Sequence, residues 1–208
     1  VLEGILISAE LGKVTLISYN LEMGMKKEIY AKCEEAGDIV VNARLLADIL
    51  RRMNGLQVTI EADDKLNCHI KCGETTFDIM GMAAEDFPEM PTVGSDKSIV
   101  IDADIFSEMV KGTIFAVAQN EGAKPILTGI YVTIEDRILR FVAIDGYRLA
   151  IRRHNIDIEG SFSFILSGRA VGEAVKLIDE ETENVEISFG DRLVSFNISG
   201  YSFISRLL

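Results

Sequence analysis

Few residues in this chain have the type and spacing that chemistry requires. The two histidines, His69 and His154, stand far apart, and neither falls in a metal-ligand spacing. Cys68 and Cys72 share one face of a strand with even spacing, but no second cysteine pair completes a zinc site. Their favoured role is packing in a core or edge strand. Asp63-Asp64 places two acids in a turn, which signals a turn before it signals calcium. Ser167-Gly168 and Ser199-Gly200 lack the surroundings of a nucleophile elbow, and no phosphate-cradling glycine loop is present. A hydrolase or other enzyme would need polar groups converging in a cleft, and the sequence offers none. The expectation is a non-enzymatic protein without metal or cofactor.

The basic residues carry more information. Arg44, Arg51 and Arg52 lie on the back of a helix expected over 43–53, with Asp48 among them. Its apolar stripe is Leu45, Leu46, Ile49, Leu50 and Met53. Arg169 and Lys176 recur at matching places on a helix over 169–178, and Lys111 stands on a third, over about 102–118. A solvated face is the bland reading. A stripe meeting phosphates without reading bases is the functional one. The total of 33 acids against 21 bases, a formal charge of −12, excludes a protein that coats nucleic acid with its whole surface but not a local basic stripe.

The elements that position these residues come from a duplication. Residues 127–153 read as three strands: Ile130, Val132 and Ile134 alternate, a polar corner follows at Glu135-Asp136-Arg137, and Leu139, Phe141 and Ala143 share the next inward face. Asp145-Gly146 reads as a type I′ hairpin turn. The opening 1–20 repeats this pattern at a spacing of 125 residues (Leu2 to Leu127), with Asn20 meeting Asp145. One residue is then expected to be dropped, setting 21–25 beside 147–151, before the spacing of 125 returns at 39–41 against 164–166. The last strands align with slips of one or two residues. Such a repeat has the length of a domain. Each complete copy reads strand–helix–three strands, twice, and the first copy is expected to lack its opening strand and helix. The fold class is α+β, tandem domains each with two helices packed on antiparallel sheets. The domains are expected at 1–90 and 91–208, joined by a linker within 83–97 that carries Phe87-Pro88, Met90-Pro91 and Gly94-Ser95. Asn42 and Ser167 are expected helix N-caps, Asp102 or Asp104 caps the helix between them, and Gly55 is expected to end the first helix in the left-handed conformation. Three cysteines without a secretory leader suggest a reduced compartment, and no apolar run reaches membrane-spanning length.

The segments NLEMGM, DFPEMP, PILTGIYV and VAIDGYRLA, in this order and spacing, resemble the bacterial DNA polymerase III beta subunit family, the sliding clamps. The most specific part is the hairpin over 143–150, where Ile144 replaces a common threonine. The resemblance covers essentially the whole chain. It implies tandem DNA-clamp domains, the first without its start and the second without its last residues. It also implies a head-to-tail homodimer ring around duplex DNA of any sequence. The replicative polymerase, clamp loader and repair proteins would bind through short linear motifs. By position it assigns Arg44, Arg51, Arg52, Lys111, Lys124, Arg169 and Lys176 to the DNA-facing surface. One wall of a hydrophobic peptide pocket would be Leu127, Ile144, Gly146, Tyr147, Arg148 and Leu149. The competing expectation is a duplicated α+β interaction scaffold, or an enzyme, unrelated to DNA.

Overall fold

The structure, a computed structural model, describes residues 3–94, 97–119, 122, 124–158 and 160–208. The expected strand start at Val1 and Leu2, Ser95 and Asp96 of the linker, Asn120, Glu121 and Ala123 of the following loop, and Glu159 lie outside the described residues. The chain divides into two units, Val1–Met90 and Pro91–Leu208.

In unit 1, alternating apolar residues form β1 (Gly4–Glu10), β2 (Lys13–Tyr19), β3 (Met23–Tyr30) and β4 (Gly37–Asn42). They pair antiparallel in the order β4-β1-β2-β3. The helix α1 (Ala43–Arg52) follows, and then β5 (Thr59–Ala62), β6 (Asn67–Cys72) and β7 (Thr75–Met80) make a second antiparallel sheet. Ile7, Ile39 and Val41 from the first sheet and Cys68, Ile70 and Ile79 from the second close on Leu46 and Ile49 of α1. Asn42 caps the helix, its Oδ1 accepting from Leu45 N at 2.9 Å, a contact worth about 1 kcal/mol.

Two expectations about α1 fail. Its buried stripe is only Leu46 and Ile49, while Leu45 and Leu50 remain 46% and 37% exposed. Among the described residues no second helix covers that side of unit 1. The helix also ends through Met53 in extended backbone, without a left-handed cap at Gly55. Gly55 serves close approach instead: a Cβ there would lie 2.3 Å from the Cys72 Sγ.

Unit 2 opens with β8 (Ser98–Asp102) and α2 (Ala103–Lys111), capped by Asp102, whose Oδ1 accepts from Asp104 N and Ile105 N. The helix stops earlier than its apolar pattern suggests. Thr113 is fully buried and donates its hydroxyl to the carbonyls of Met109 and Val110, and a 3-10 turn, Ile114–Ala116, replaces the expected last turns. Another 3-10 turn, Pro125–Thr128, precedes β9 (Gly129–Glu135), β10 (Ile138–Ile144), β11 (Leu149–Asn155) and β12 (Phe162–Ser167). Their order is β11-β10-β9-β12. Then come α3 (Gly168–Val175), capped by Ser167, and β13 (Asn184–Phe189), β14 (Leu193–Ile198) and β15 (Tyr201–Arg206), pairing as β8-β13-β14-β15. Phe106 of α2 stands between the sheets, 6.2 Å from the ring of Phe141 on β10 and 5.9 Å from Phe196 on β14. Helices α2 and α3 pack together.

The strand registers carry the duplication residue by residue. Glu10 pairs with Lys13 as Glu135 pairs with Ile138, and Gly4 with Asn42 as Gly129 with Ser167. Tyr19 pairs with Gly24 as Ile144 pairs with Leu149, so the spacing of 125 runs through the turn and no residue is dropped there. Both turns are four-residue loops: Asn20 N donates to Met23 O, and Asp145 N to Arg148 O. The type I′ turn expected at Asp145-Gly146 is therefore absent, since only Gly146 has positive φ (93°). It occurs instead at Asp136-Arg137, with φ of 52° and 59°, joining β9 to β10 with two residues. Phe77 and Ile60 of unit 1 stand where Phe203 and Ile187 stand in unit 2, yet they are 37% and 39% exposed while the latter are buried.

Candidate nucleic-acid and peptide interfaces

On α1 the buried Leu46 and Ile49 fix the helix rotation. At 100° per residue, Arg44 and Arg51 then point directly away from the core, about 10.5 Å apart along the axis. On α3 the buried Ala170, Val171 and Ala174 place Arg169 and Lys176 the same way. Both helices carry an acid between the two cations. Asp48 pairs with Arg51 at 3.3 Å, and Glu173 with Lys176 at 2.8 Å. Among the described residues Arg44, Arg52 and Arg169 have no ion-pair partner, and all the assigned cations are exposed. Lys111 occupies the matching outward position on α2, but Asp104 and Glu108 share that face, so α2 presents a net negative back. Lys124 is exposed at the head of the 3-10 turn Pro125–Thr128, its carbonyl accepting from Leu127 N at 2.8 Å.

The second candidate is a cleft of about 350 Å³ in unit 2, lined by Val117, Ala118, Gln119, Asp145, Tyr147 and Arg148. One wall follows the 3-10 turn after α2 and is pinned by Ala118 N donating to Leu127 O at 2.9 Å. The other is the loop between β10 and β11. There Asp145 Oδ1 accepts from Tyr147 N at 2.9 Å and Arg148 N at 2.8 Å, while Oδ2 accepts from Arg148 Nε at 2.9 Å and Nη2 at 2.8 Å. The backbone N–H groups of Arg148 and Tyr147, with the Arg148 guanidinium, hold the Asp145 carboxyl down at a pKa of about 2. Gly146 takes φ 93°, and the Tyr147 side chain is thrown out to 96% exposure.

Of the six pocket residues assigned by resemblance, Tyr147 and Arg148 line the cleft, Gly146 shapes its loop, and the half-buried Leu127 anchors the opposite wall. Ile144 and Leu149 are not part of the lining. They face each other across β10 and β11 on the outer side of the sheet, 43% and 60% exposed. Val117, Ala118, Gln119 and Asp145 escaped the sequence reading. Val117 falls within the helix expected over about 102–118 and Asp145 in the expected turn, and neither pattern signals a cleft.

Among the other polar groups singled out in the sequence are His69, Cys68 and Cys72. His69 on β6 hydrogen-bonds Asp78 on β7 at 2.5 Å and is exposed, and Cys68 and Cys72 are buried free thiols. Burial pushes the Cys68 thiol pKa up, away from reactivity. Among the described residues no group of three or more His, Cys, Asp or Glu is placed to hold a metal ion, and no helix is long and apolar enough to cross a membrane.

Tandem α+β units of this topology define the DNA-clamp class. Over 100% of the chain, the fold matches crystal structures of a DNA polymerase III beta subunit from Eubacterium rectale (30% identity) and of the Bacillus subtilis DNA polymerase sliding clamp (28%). Both give a TM-score of 0.93 over 57% of the solved chain. Residues 1–91 match the family model of the DNA polymerase III beta subunit N-terminal domain, and residues 100–208 that of its central domain. The chain belongs to the DNA polymerase III beta subunit family. Curated relatives include the beta sliding clamps of Bacillus subtilis, 31% identical over 84% of this chain and 47% of the relative, and of Staphylococcus epidermidis, 28% identical over all of this chain. The chain spans 57% of the length of the latter.

Proposed function

We propose that this chain forms part of a DNA sliding clamp, a processivity factor without a catalytic site. In the full-length protein two subunits close into a ring around duplex DNA. The observation that carries this reading is the repeated helix back, Arg44 with Arg51 and Arg169 with Lys176, on a chain of net charge −12. Cations at corresponding places on a strongly acidic protein suit a surface that meets phosphates without reading sequence. A ring provides attachment by linkage, so these contacts need only be weak and can slide. The domains at 1–90 and 91–208 are tandem clamp modules that present these backs to DNA. Arg52, Lys111 and Lys124 belong to the same surface, Lys111 weakly because of its acidic neighbours. The cleft beside Tyr147 and Arg148, with Leu127, Ile144, Gly146 and Leu149 around it, receives short apolar segments of the replicative polymerase, clamp loader and repair proteins. The protein works in the bacterial cytoplasm. In a retention assay the full-length protein, once loaded, stays on nicked circular DNA and runs off linear DNA of the same length. Equal loss from both would overturn the proposal.

A further inference from the structure

Unit 1 contains a control for the loop that walls the cleft. Asn20 stands where Asp145 stands, and its Oδ1 accepts from Glu22 N at 3.0 Å and Met23 N at 2.8 Å, the same two-donor pattern that Asp145 Oδ1 makes with Tyr147 N and Arg148 N. The loop thus needs one side-chain oxygen, and an amide supplies it as well as a carboxylate. Leu21, with φ 73°, takes the place of Gly146. What Asn20 lacks is the second contact. In unit 1 the fourth loop residue is Met23, whereas in unit 2 it is Arg148, whose guanidinium is gripped by Asp145 Oδ2 at both Nε and Nη2.

Asp145 therefore divides its work between two oxygens: Oδ1 builds the loop and Oδ2 fixes the neighbouring cation. The Asp145 side chain is only 12% exposed, so the grip lies at the base of the loop, while Arg148 is 59% exposed and lines the cleft. A fork-to-carboxylate pair fixes both the position and the charge of the guanidinium. The pair offsets the guanidinium charge where Arg148 lines the cleft with Val117 and Ala118.

We propose that Asp145 is a specificity-determining residue of the cleft, holding Arg148 neutralised so that the cleft takes an apolar side chain in preference to an acidic one. This rests on the reading of the cleft as a peptide site. The test uses the full-length protein and two fluorescein-labelled peptides that differ only at the last residue, Phe in one and Glu in the other, read by anisotropy. Asp145→Asn keeps Oδ1 and hence the loop, as Asn20 does, but frees Arg148. Its ratio of apolar to acidic affinity falls by up to about fivefold, the upper end for one unmasked exposed charge. Arg148→Lys, which removes the fork without touching the loop, moves the ratio in the same direction. Asp145→Asn combined with Arg148→Met leaves no cation to release and no acid to bare, and its ratio returns to that of wild type. If wild type binds the Phe peptide and neither Asp145→Asn nor Arg148→Lys moves the ratio, the specificity role is overturned while the cleft reading stands. If wild type binds neither peptide, both are overturned.

Discussion

Replacing Arg44 and Arg169 with alanine in the full-length protein removes two outward cations that have no acidic partner among the described residues. Each cation engaged with a phosphate contributes about 0.9 to the slope of log affinity against log salt. Loss of both per chain removes four from the two-subunit ring and flattens the slope by up to about 3.6, so the ratio of wild-type to variant affinity falls by as much as about 150-fold between 50 and 200 mM salt. Arg51 and Lys176 make a useful contrast. Each is already paired, at 3.3 Å to Asp48 and 2.8 Å to Glu173, so removing either also bares an acid. Arg51→Ala and Lys176→Ala thus add repulsion as well as losing attraction, and Asp48→Asn or Glu173→Gln should tighten binding. Fluorescence anisotropy with a labelled duplex across that salt range reads all of these. An unchanged slope for the Arg44 and Arg169 double variant would refute the assignment of the helix backs to phosphate contact.

Other consequences concern the fold. Phe203→Ala opens a cavity in a closed core and costs about 3–5 kcal/mol, whereas Phe77→Ala at the corresponding, 37% exposed place costs less than half of that, as denaturant unfolding will show. Gly129→Ala drives a Cβ to within 2.5 Å of the Leu166 carbonyl oxygen, a backbone atom that cannot rotate away, and destabilises by about 1–3 kcal/mol in the same assay. The hydrogen bond that the protonated His69 ring donates to Asp78 raises the His69 pKa above 6.5, with smaller help from Asp63 and Glu61. Its contribution is full below pH 6.5 and is lost as pH rises through the folded-state value. NMR titration should therefore find the His69 midpoint above 6.5, and lower in Asp78→Asn.

Much of this architecture was legible because the duplication constrains it twice. The inward alternation of Ile130, Val132 and Ile134, and the caps at Asn42 and Ser167, rest on local chemistry that the chain states in full. Exposure was not legible. Leu45 and Leu50 look like core on a helical wheel, but burial depends on what lies opposite, and on that side of unit 1 no second helix stands among the described residues. The loop at Asp145 deceived in another way. Asp-Gly favours a tight two-residue turn, but an Asp145 side chain accepting two backbone N–H groups and gripping Arg148 stabilises a four-residue one, and the consecutive positive φ values of a type I′ turn lie at Asp136 and Arg137. The cleft stayed hidden because half its lining, Val117 to Gln119, comes from the segment where Thr113 ends the helix early.

Site-specific crosslinking from the helix backs tests the central claim most directly. With a photoreactive residue in place of Arg44, Arg169 or the exposed strand residue Lys71, the full-length protein loaded on nicked circular DNA should crosslink to duplex from positions 44 and 169 and not from 71. Crosslinks from 71 with none from 44 and 169 would show that the sheets, not the helices, face the DNA.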